Sequence, residues 1–226
     1  VWDVTSAARV DRFIANSTFV RSRIQKFYRR DAAVLNPPID TDFYAPAPNS
    51  DPPPSRDFFL TVSALVPYKR IDLLIEGFNR TGDKLVIIGK GPEEKRLKGL
   101  AKSNIHFKKD LAASELRDLY RNAKAFVYSG IEDFGMAFVE AMACGTPVVA
   151  FRRGGILDIV TDDHFGVLFG DQSVEALIQS LEVCKGKDYE PDLLRKRSLD
   201  FSEPVFKDRF HRLLEQAFEN PDAGVK

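Results

Sequence analysis

Short apolar runs alternate with amphipathic stretches along most of the chain, and this rhythm sets out its elements. Strands are expected at residues 58–63, 84–88, 104–107, 124–128, 147–151 and 166–168. Helical periods fall between them at 71–79, 93–101, 114–122, 135–144 and, briefly, 156–160. Short apolar strands separated by helices call for a parallel sheet covered on both faces. Six of them favour an α/β fold with a doubly wound Rossmann-like sheet in the order 3-2-1-4-5-6. In that order ligands bind outside the carboxyl ends of the first and fourth strands, where the winding reverses.

The flanks read differently. A strand at 12–15, a helix at 18–29 capped by Ser17 and a strand at 33–35 precede a proline-rich run from Asn36 to Pro54 with the composition of a linker. This divides the chain into residues 1–40 as the tail end of one unit, 41–56 as linker, 57–202 as the Rossmann-like domain and 203–226 as a crossover helix and tail. A helix at 173–185 is followed by a charged stretch to Asp200. The final helix, 204–219, carries Phe206, Phe210, Leu213, Leu214 and Phe218 at helical spacing, ordinary core material.

Composition narrows the function classes. The 226 residues carry a formal net charge of zero, which gives no global electrostatic case for nucleic acid or membrane. Cys144 and Cys184 have no metal-ligand spacing and make no disulfide framework, which fits a reducing compartment. No run has transmembrane length, and the start at Val1-Trp2-Asp3 reads as mid-protein sequence, so a fragment is expected.

Candidate chemistry gathers at residues 129–150. The helix at 135–144 is apolar nearly all round and therefore buried, with Glu140 its only ionisable residue. Glu132 stands before its positive end, where backbone N–H groups could hold an anion. Two carboxylates flanking such donors suit a ligand with hydroxyls at both ends and phosphates between, as in a nucleotide sugar. The plainer alternatives are that Glu132 and Asp133 cap the helix and that Glu140 faces water. Lys69 and Arg70 begin the helix at 71–79, where the dipole disfavours cations, which makes sense if an anion needs them. Gly89-Lys90-Gly91-Pro92 lacks the third glycine of a dinucleotide fingerprint, but Gly89 and Gly91 would let a nucleotide come close. Phe107 and Lys108 at the end of the third strand join them as expected nucleotide contacts. Gly154-Gly155 is a second glycine turn near the same crevice. His106 reads as a core or edge residue, Tyr68 as loop packing, and the basic helix at 18–29 as a solvated face, with an anionic acceptor or membrane surface as the sharper option. Asp162-Asp163 lies in a turn without partners, so no metal site is expected.

Glu132 to Glu140, set in Glu-Asp-Phe-Gly-Met-Ala-Phe-Val-Glu-Ala-Met-Ala-Cys-Gly-Thr-Pro-Val-Val, resembles the E-x7-E motif of family 4 retaining glycosyltransferases. Ser63-Ala-Leu-Val-Pro-Tyr-Lys-Arg-Ile-Asp72, Gly89-Lys-Gly-Pro, Gly154-Gly155, Arg9-Val-Asp-Arg-Phe-Ile-Ala-Asn-Ser17 and Asn36-Pro-Pro-Ile-Asp-Thr-Asp-Phe43 are similar to companion motifs, with WbaZ-like mannosyltransferases as the nearest group. The resemblance implies the C-terminal, donor-binding half of a GT-B fold. By position, Glu132 with the backbones of Phe134 and Gly135 would meet the sugar hydroxyls. The Met136 and Ala137 amides with Lys69 would hold the diphosphate, and Glu140 the ribose. Ala64 replaces an arginine that relatives place on the diphosphate, which shifts weight to Lys69 and Arg70; Lys109 and Asp158 also depart from the family pattern.

The expectation is a retaining hexosyltransferase, with GDP-mannose favoured over a UDP-sugar as donor and a glycan or lipid-linked acceptor. No cofactor is expected, and the isolated chain is expected to bind nucleotide without transferring sugar. The rivals are an epimerase or hydrolase of the same architecture and a non-catalytic nucleotide-binding member. A cytoplasmic location is expected, with peripheral contact to the inner membrane face as an option.

Overall fold

The computed structural model describes residues 2–47 and 56–219; residues 48–55 of the expected linker and the tail beyond 219 lie outside the described residues. The chain opens with α1 (Trp2–Ala7), β1 (Phe13–Ala15), α2 (Thr18–Tyr28) and β2 (Ala32–Val34), in which β1 and β2 pair in parallel as a small separate sheet. Ser17 caps α2 as its position suggests, accepting from the Val20 amide at 3.1 Å.

The larger unit follows as β3 (Phe58–Val62), α3 (Ile71–Thr81), β4 (Lys84–Ile88), α4 (Glu94–Leu100), β5 (Ile105–Lys108), α5 (Ala113–Asn122) and β6 (Ala123–Tyr128). It continues with α6 (Met136–Ala143), β7 (Val148–Phe151), α7 (Ile156–Ile159), β8 (Gly166–Phe169), α8 (Val174–Lys185), α9 (Pro191–Ser198) and α10 (Glu203–Glu219). Its six strands are all parallel, in the order β5-β4-β3-β6-β7-β8, which is the expected 3-2-1-4-5-6 winding.

Alternating residues along each strand feed two separate cores. Leu60, Phe126 and Val148 pack against α5, α6, α7 and α9, while Phe59, Leu85, Ile87 and Val127 pack against α3, α4 and α8. Each such side chain, fully buried, contributes about 1.5–3 kcal/mol, so a sheet apolar on both faces has no stable alternative to being covered on both.

Two expectations needed correction. The charged stretch before Asp200 contains α9, entered through Pro191 at its first turn. Only Leu194 and Ser198 of α9 are buried, so its apolar period is too sparse to stand out among Asp192, Arg195, Lys196 and Arg197. The helix α10, expected as core material, buries none of its residues fully; Phe218 is 80% exposed. Instead α10 reaches back to the small sheet, where the Arg12 guanidinium donates to the Ala217 carbonyl at 3.3 Å. Among the described residues no helix is long and apolar enough to cross a membrane.

Candidate donor-binding site

The helix α6 sets the geometry. Phe138, Val139, Ala141, Met142 and Ala143 are all buried, which ties the helix to the sheet over its whole length. Its N-cap is Gly135, at φ +97, a backbone conformation that L side chains rarely adopt. A Cβ there would also lie 2.3 Å from the Phe138 ring. With no side chain capping α6, the first amides of the helix stay free for a ligand, at the positive end of the dipole.

Glu132 stands on the loop between β6 and α6. That loop is held by the glycine turn after β7: Glu132 and Gly154 form a parallel bridge, and the Gly155 amide donates to the Glu132 carbonyl at 2.9 Å. Any side chain at Gly155 would meet the Asp133 carbonyl and Phe134 Cα at 2.4 Å, so the close approach requires glycine. From the other side, the short 3-10 turn Pro67–Lys69 delivers the Lys69 ammonium to Glu132 Oε1 at 2.6 Å. The Tyr128 hydroxyl donates to that same oxygen. Lys69 is 13% exposed and Glu132 26%, so the pair is largely withdrawn from water. Burial, and then the bond to Glu132, push the Tyr128 phenol well above its ordinary pKa.

Glu140 occupies a different environment. It is half-buried on α6 and accepts from the Tyr120 hydroxyl at 2.8 Å, with no cation within ion-pairing distance among the described residues. Burial raises its pKa, opposed by the Tyr120 bond. Tyr120 is fully buried; it packs edge-on against Tyr44 at 5.9 Å, and Thr146 donates to its carbonyl at 2.5 Å. The plainer alternatives raised by the sequence do not describe these carboxylates. Neither Glu132 nor Asp133 caps α6, Asp133 pairs with Arg23 at 2.7 Å, and Glu140 is turned inward.

Glu132, Asp133, Phe134, Gly135, Met136, Ala137 and Glu140 line one cavity of about 560 Å³, together with Val62, Phe126, Tyr128, Phe138 and, from the first unit, Asn16 and Pro37. Lys69 adjoins it through Glu132. The first unit also touches the rim: Ser17 Oγ donates to the Asp133 carbonyl, and Asp158 accepts from the Thr18 amide at 2.8 Å and from Asn36 at 3.3 Å.

The other sequence candidates lie elsewhere. Arg70 adopts a left-handed conformation as the N-cap of α3, and its guanidinium goes to Asp72 and Gln172, each at 3.3 Å. Of the expected pair of site cations, Lys69 is bonded to a residue that lines the cavity and Arg70 is engaged elsewhere. Gly89 and Gly91 do not line the cavity; a Cβ on them would collide with the Ser63 and Leu65 carbonyls at 1.8 and 2.4 Å. Their room is taken by the protein's own loop after β3. Phe107 packs with the core on the α3, α4 and α8 face, and Lys108 is exposed at the end of the edge strand β5. Tyr68 is 67% exposed, with the Lys69 ammonium 5.0 Å from its ring centre. Asp162 and Asp163, expected to lack partners, lie beside His164, and Asp163 pairs with Lys187 at 2.7 Å.

Sequence reasoning missed Tyr120 and Tyr128. Neither interrupts the apolar period of its element, but both are buried, and a buried phenol hydroxyl needs an acceptor. Asking which acceptor each tyrosine finds would have led to the two glutamates.

Comparison with known proteins shows the family. Residues 47–186, well over half the chain, match the family model described as "Glycosyl transferases group 1". A GDP-mannose-dependent alpha-(1-6)-phosphatidylinositol monomannoside mannosyltransferase of Mycolicibacterium smegmatis is 30% identical over 188 residues, which cover 71% of this chain and 49% of the relative. A D-inositol 3-phosphate glycosyltransferase of Catenulispora acidiphila is 32% identical over 187 residues, 70% of this chain and 44% of the relative. The chain thus spans about half the length of the curated relatives it matches. Among solved structures, a sucrose-phosphate synthase of Thermosynechococcus elongatus superposes with a TM-score of 0.82 at 20% identity, over 96% of this chain and 61% of that one. The HepE protein of Anabaena, in complex with UDP and glucose, gives 0.78 at 19% identity, over 94% and 65%.

Proposed function

Because this chain belongs to the group 1 glycosyl transferases, we propose that it supplies the donor site of an enzyme moving a hexosyl group from a nucleoside diphosphate sugar to a glycan or lipid-linked acceptor. One observation carries this reading: the glutamates Glu132 and Glu140 line a single cavity on either side of an uncapped helix N-terminus, with Lys69 bonded to the first of them. The cavity has room for an elongated ligand with a diphosphate in its middle. In this reading Glu132 accepts from sugar hydroxyls and Glu140 from the ribose. The Met136 and Ala137 amides with Lys69 hold the diphosphate.

In the transfer itself, the bond from the sugar C1 to the diphosphate oxygen breaks and a bond from C1 to the acceptor oxygen forms. The acceptor hydroxyl's proton leaves with the nucleoside diphosphate. Charge grows on the departing phosphate oxygen, and preplaced N–H donors and the Lys69 ammonium stabilise that charge more than they stabilise the bound donor. No side chain of the cavity needs to act as a nucleophile.

Mannose is the sugar we favour, since one of the relatives is GDP-mannose-dependent by name. Titrating the protein calorimetrically with GDP, UDP and ADP, and then with GDP-mannose, UDP-glucose and ADP-glucose, tests both levels. Micromolar binding of one nucleotide, tightened by its sugar, is the expected result. Binding of none of the six would refute the donor site, and a preference for UDP-glucose would refute the mannosyl assignment alone.

A further inference from the structure

Tyr128 closes β6 four residues before Glu132 and is 2% exposed. Its ring is fixed from two sides, stacked on Phe126 at 6.5 Å and met edge-on by Phe138 at 5.4 Å. Because Phe138 also lies against Gly135, the ring is part of the same packing that places the start of α6. The Tyr128 hydroxyl and the Lys69 ammonium both donate to Glu132 Oε1. One carboxylate oxygen thus receives two donors of opposite character. Lys69 is a charge on a flexible four-carbon chain, whereas Tyr128 is neutral and rigidly held.

The difference matters once an anion arrives. A diphosphate at the start of α6 competes with Glu132 for Lys69, which adjoins the cavity through that glutamate. As the ammonium turns to the phosphates, Glu132 loses its charged partner and faces added negative charge. A carboxylate held by lysine alone would then be free to swing away. A rigidly held neutral donor stays on the carboxylate and prevents this.

We propose that Tyr128 is a positioning residue: its hydroxyl keeps Glu132 Oε1 fixed while Lys69 is drawn to the diphosphate, leaving Oε2 directed to the sugar hydroxyls. This rests on the donor-site reading above. The Glu132 to Glu140 spacing does not include Tyr128, and the assignment comes from the shared oxygen and the packed ring.

Tyr128→Phe removes the hydroxyl and keeps the ring. The test measures, for wild type and variant, the affinity for GDP, UDP and ADP, the affinity for GDP-mannose, UDP-glucose and ADP-glucose, and the melting temperature. The variant should bind the preferred nucleoside diphosphate within about twofold of wild type, because Lys69 and the α6 amides are intact. The extra affinity conferred by the hexose should fall roughly tenfold, the scale of one hydrogen bond to a charged group. In a Glu132→Gln background, Tyr128→Phe should add little further loss, as expected for two residues acting as one unit. Equal losses for nucleotide and nucleotide sugar, no loss for either, or failure of the variant to fold would each overturn the proposal, since the hydroxyl would then be structural or idle. If wild type itself binds none of the six ligands, the donor-site reading fails first, and that arm separates the two.

Discussion

The two glutamates of the site sit at opposite ends of one glycine-led helix start and are held by different means. Glu132 lies on a loop, shares its Oε1 between Lys69 and Tyr128, and is kept in place by backbone contacts to the turn after β7. Glu140 lies on a buried helix, has Tyr120 as its one hydrogen-bond donor among the described residues, and carries a raised pKa. A loop carboxylate with a mobile cation beside it can trade partners when an anion binds. A helix carboxylate with a single neutral donor is costly to ionise but well oriented. In the donor-site reading proposed above, the first arrangement would serve the sugar end of the ligand and the second the ribose end.

Breaking what the two ends share should have the largest effect. Gly135→Ala combines an unfavourable φ with a collision against a packed ring, and is expected to cost about 2–6 kcal/mol. A sharp fall in the chemical denaturation midpoint, with nucleotide binding lost at both ends, is the outcome to look for. Next come changes at the charged end. Lys69→Met leaves a largely buried carboxylate without its cation, so bare nucleoside diphosphate affinity should drop roughly 10–100-fold by calorimetry.

The buried end should respond with the opposite balance. Glu140→Gln is expected to weaken nucleotide binding about tenfold and yet raise the melting temperature at neutral pH. The sign follows from linkage. A folded-state pKa above the ordinary 4.5 means the folded protein holds the proton more tightly than the unfolded chain. Stability therefore falls as pH rises from 4.5 through the raised value, and the whole penalty is present above it. Scanning calorimetry from pH 4 to 8 should show the gain of Glu140→Gln growing over that window; a gain independent of pH would contradict the account. The smallest effect is expected from Tyr120→Phe, about 1 kcal/mol of stability and a few-fold loss of nucleotide affinity, because one hydrogen bond goes while the ring packing stays.

Much of the scaffold was legible in advance, and the reasons are local. The strand from Lys84 to Ile88 and the uncapped apolar helix after Gly135 follow from apolar periods and from glycine, each set by sterics within a few residues. The residues from Glu132 to Glu140, close in sequence, were expected to share one crevice and do line one cavity. The site was misread at Arg70, since the conformation at the start of α3 sends its side chain to Gln172, 102 positions away. It was misread again at Gly89 and Gly91, where the space a missing Cβ leaves is filled by another loop.

By itself the sequence determined the elements, their parallel winding and the loops that flank the switch point, because apolar pattern and turn chemistry act over short stretches. Tertiary structure alone decided that Lys69, 63 positions from Glu132, shares one oxygen with Tyr128 while Glu140 is met by Tyr120. Which donor reaches which acceptor depends on how separate elements pack, and no local period records that.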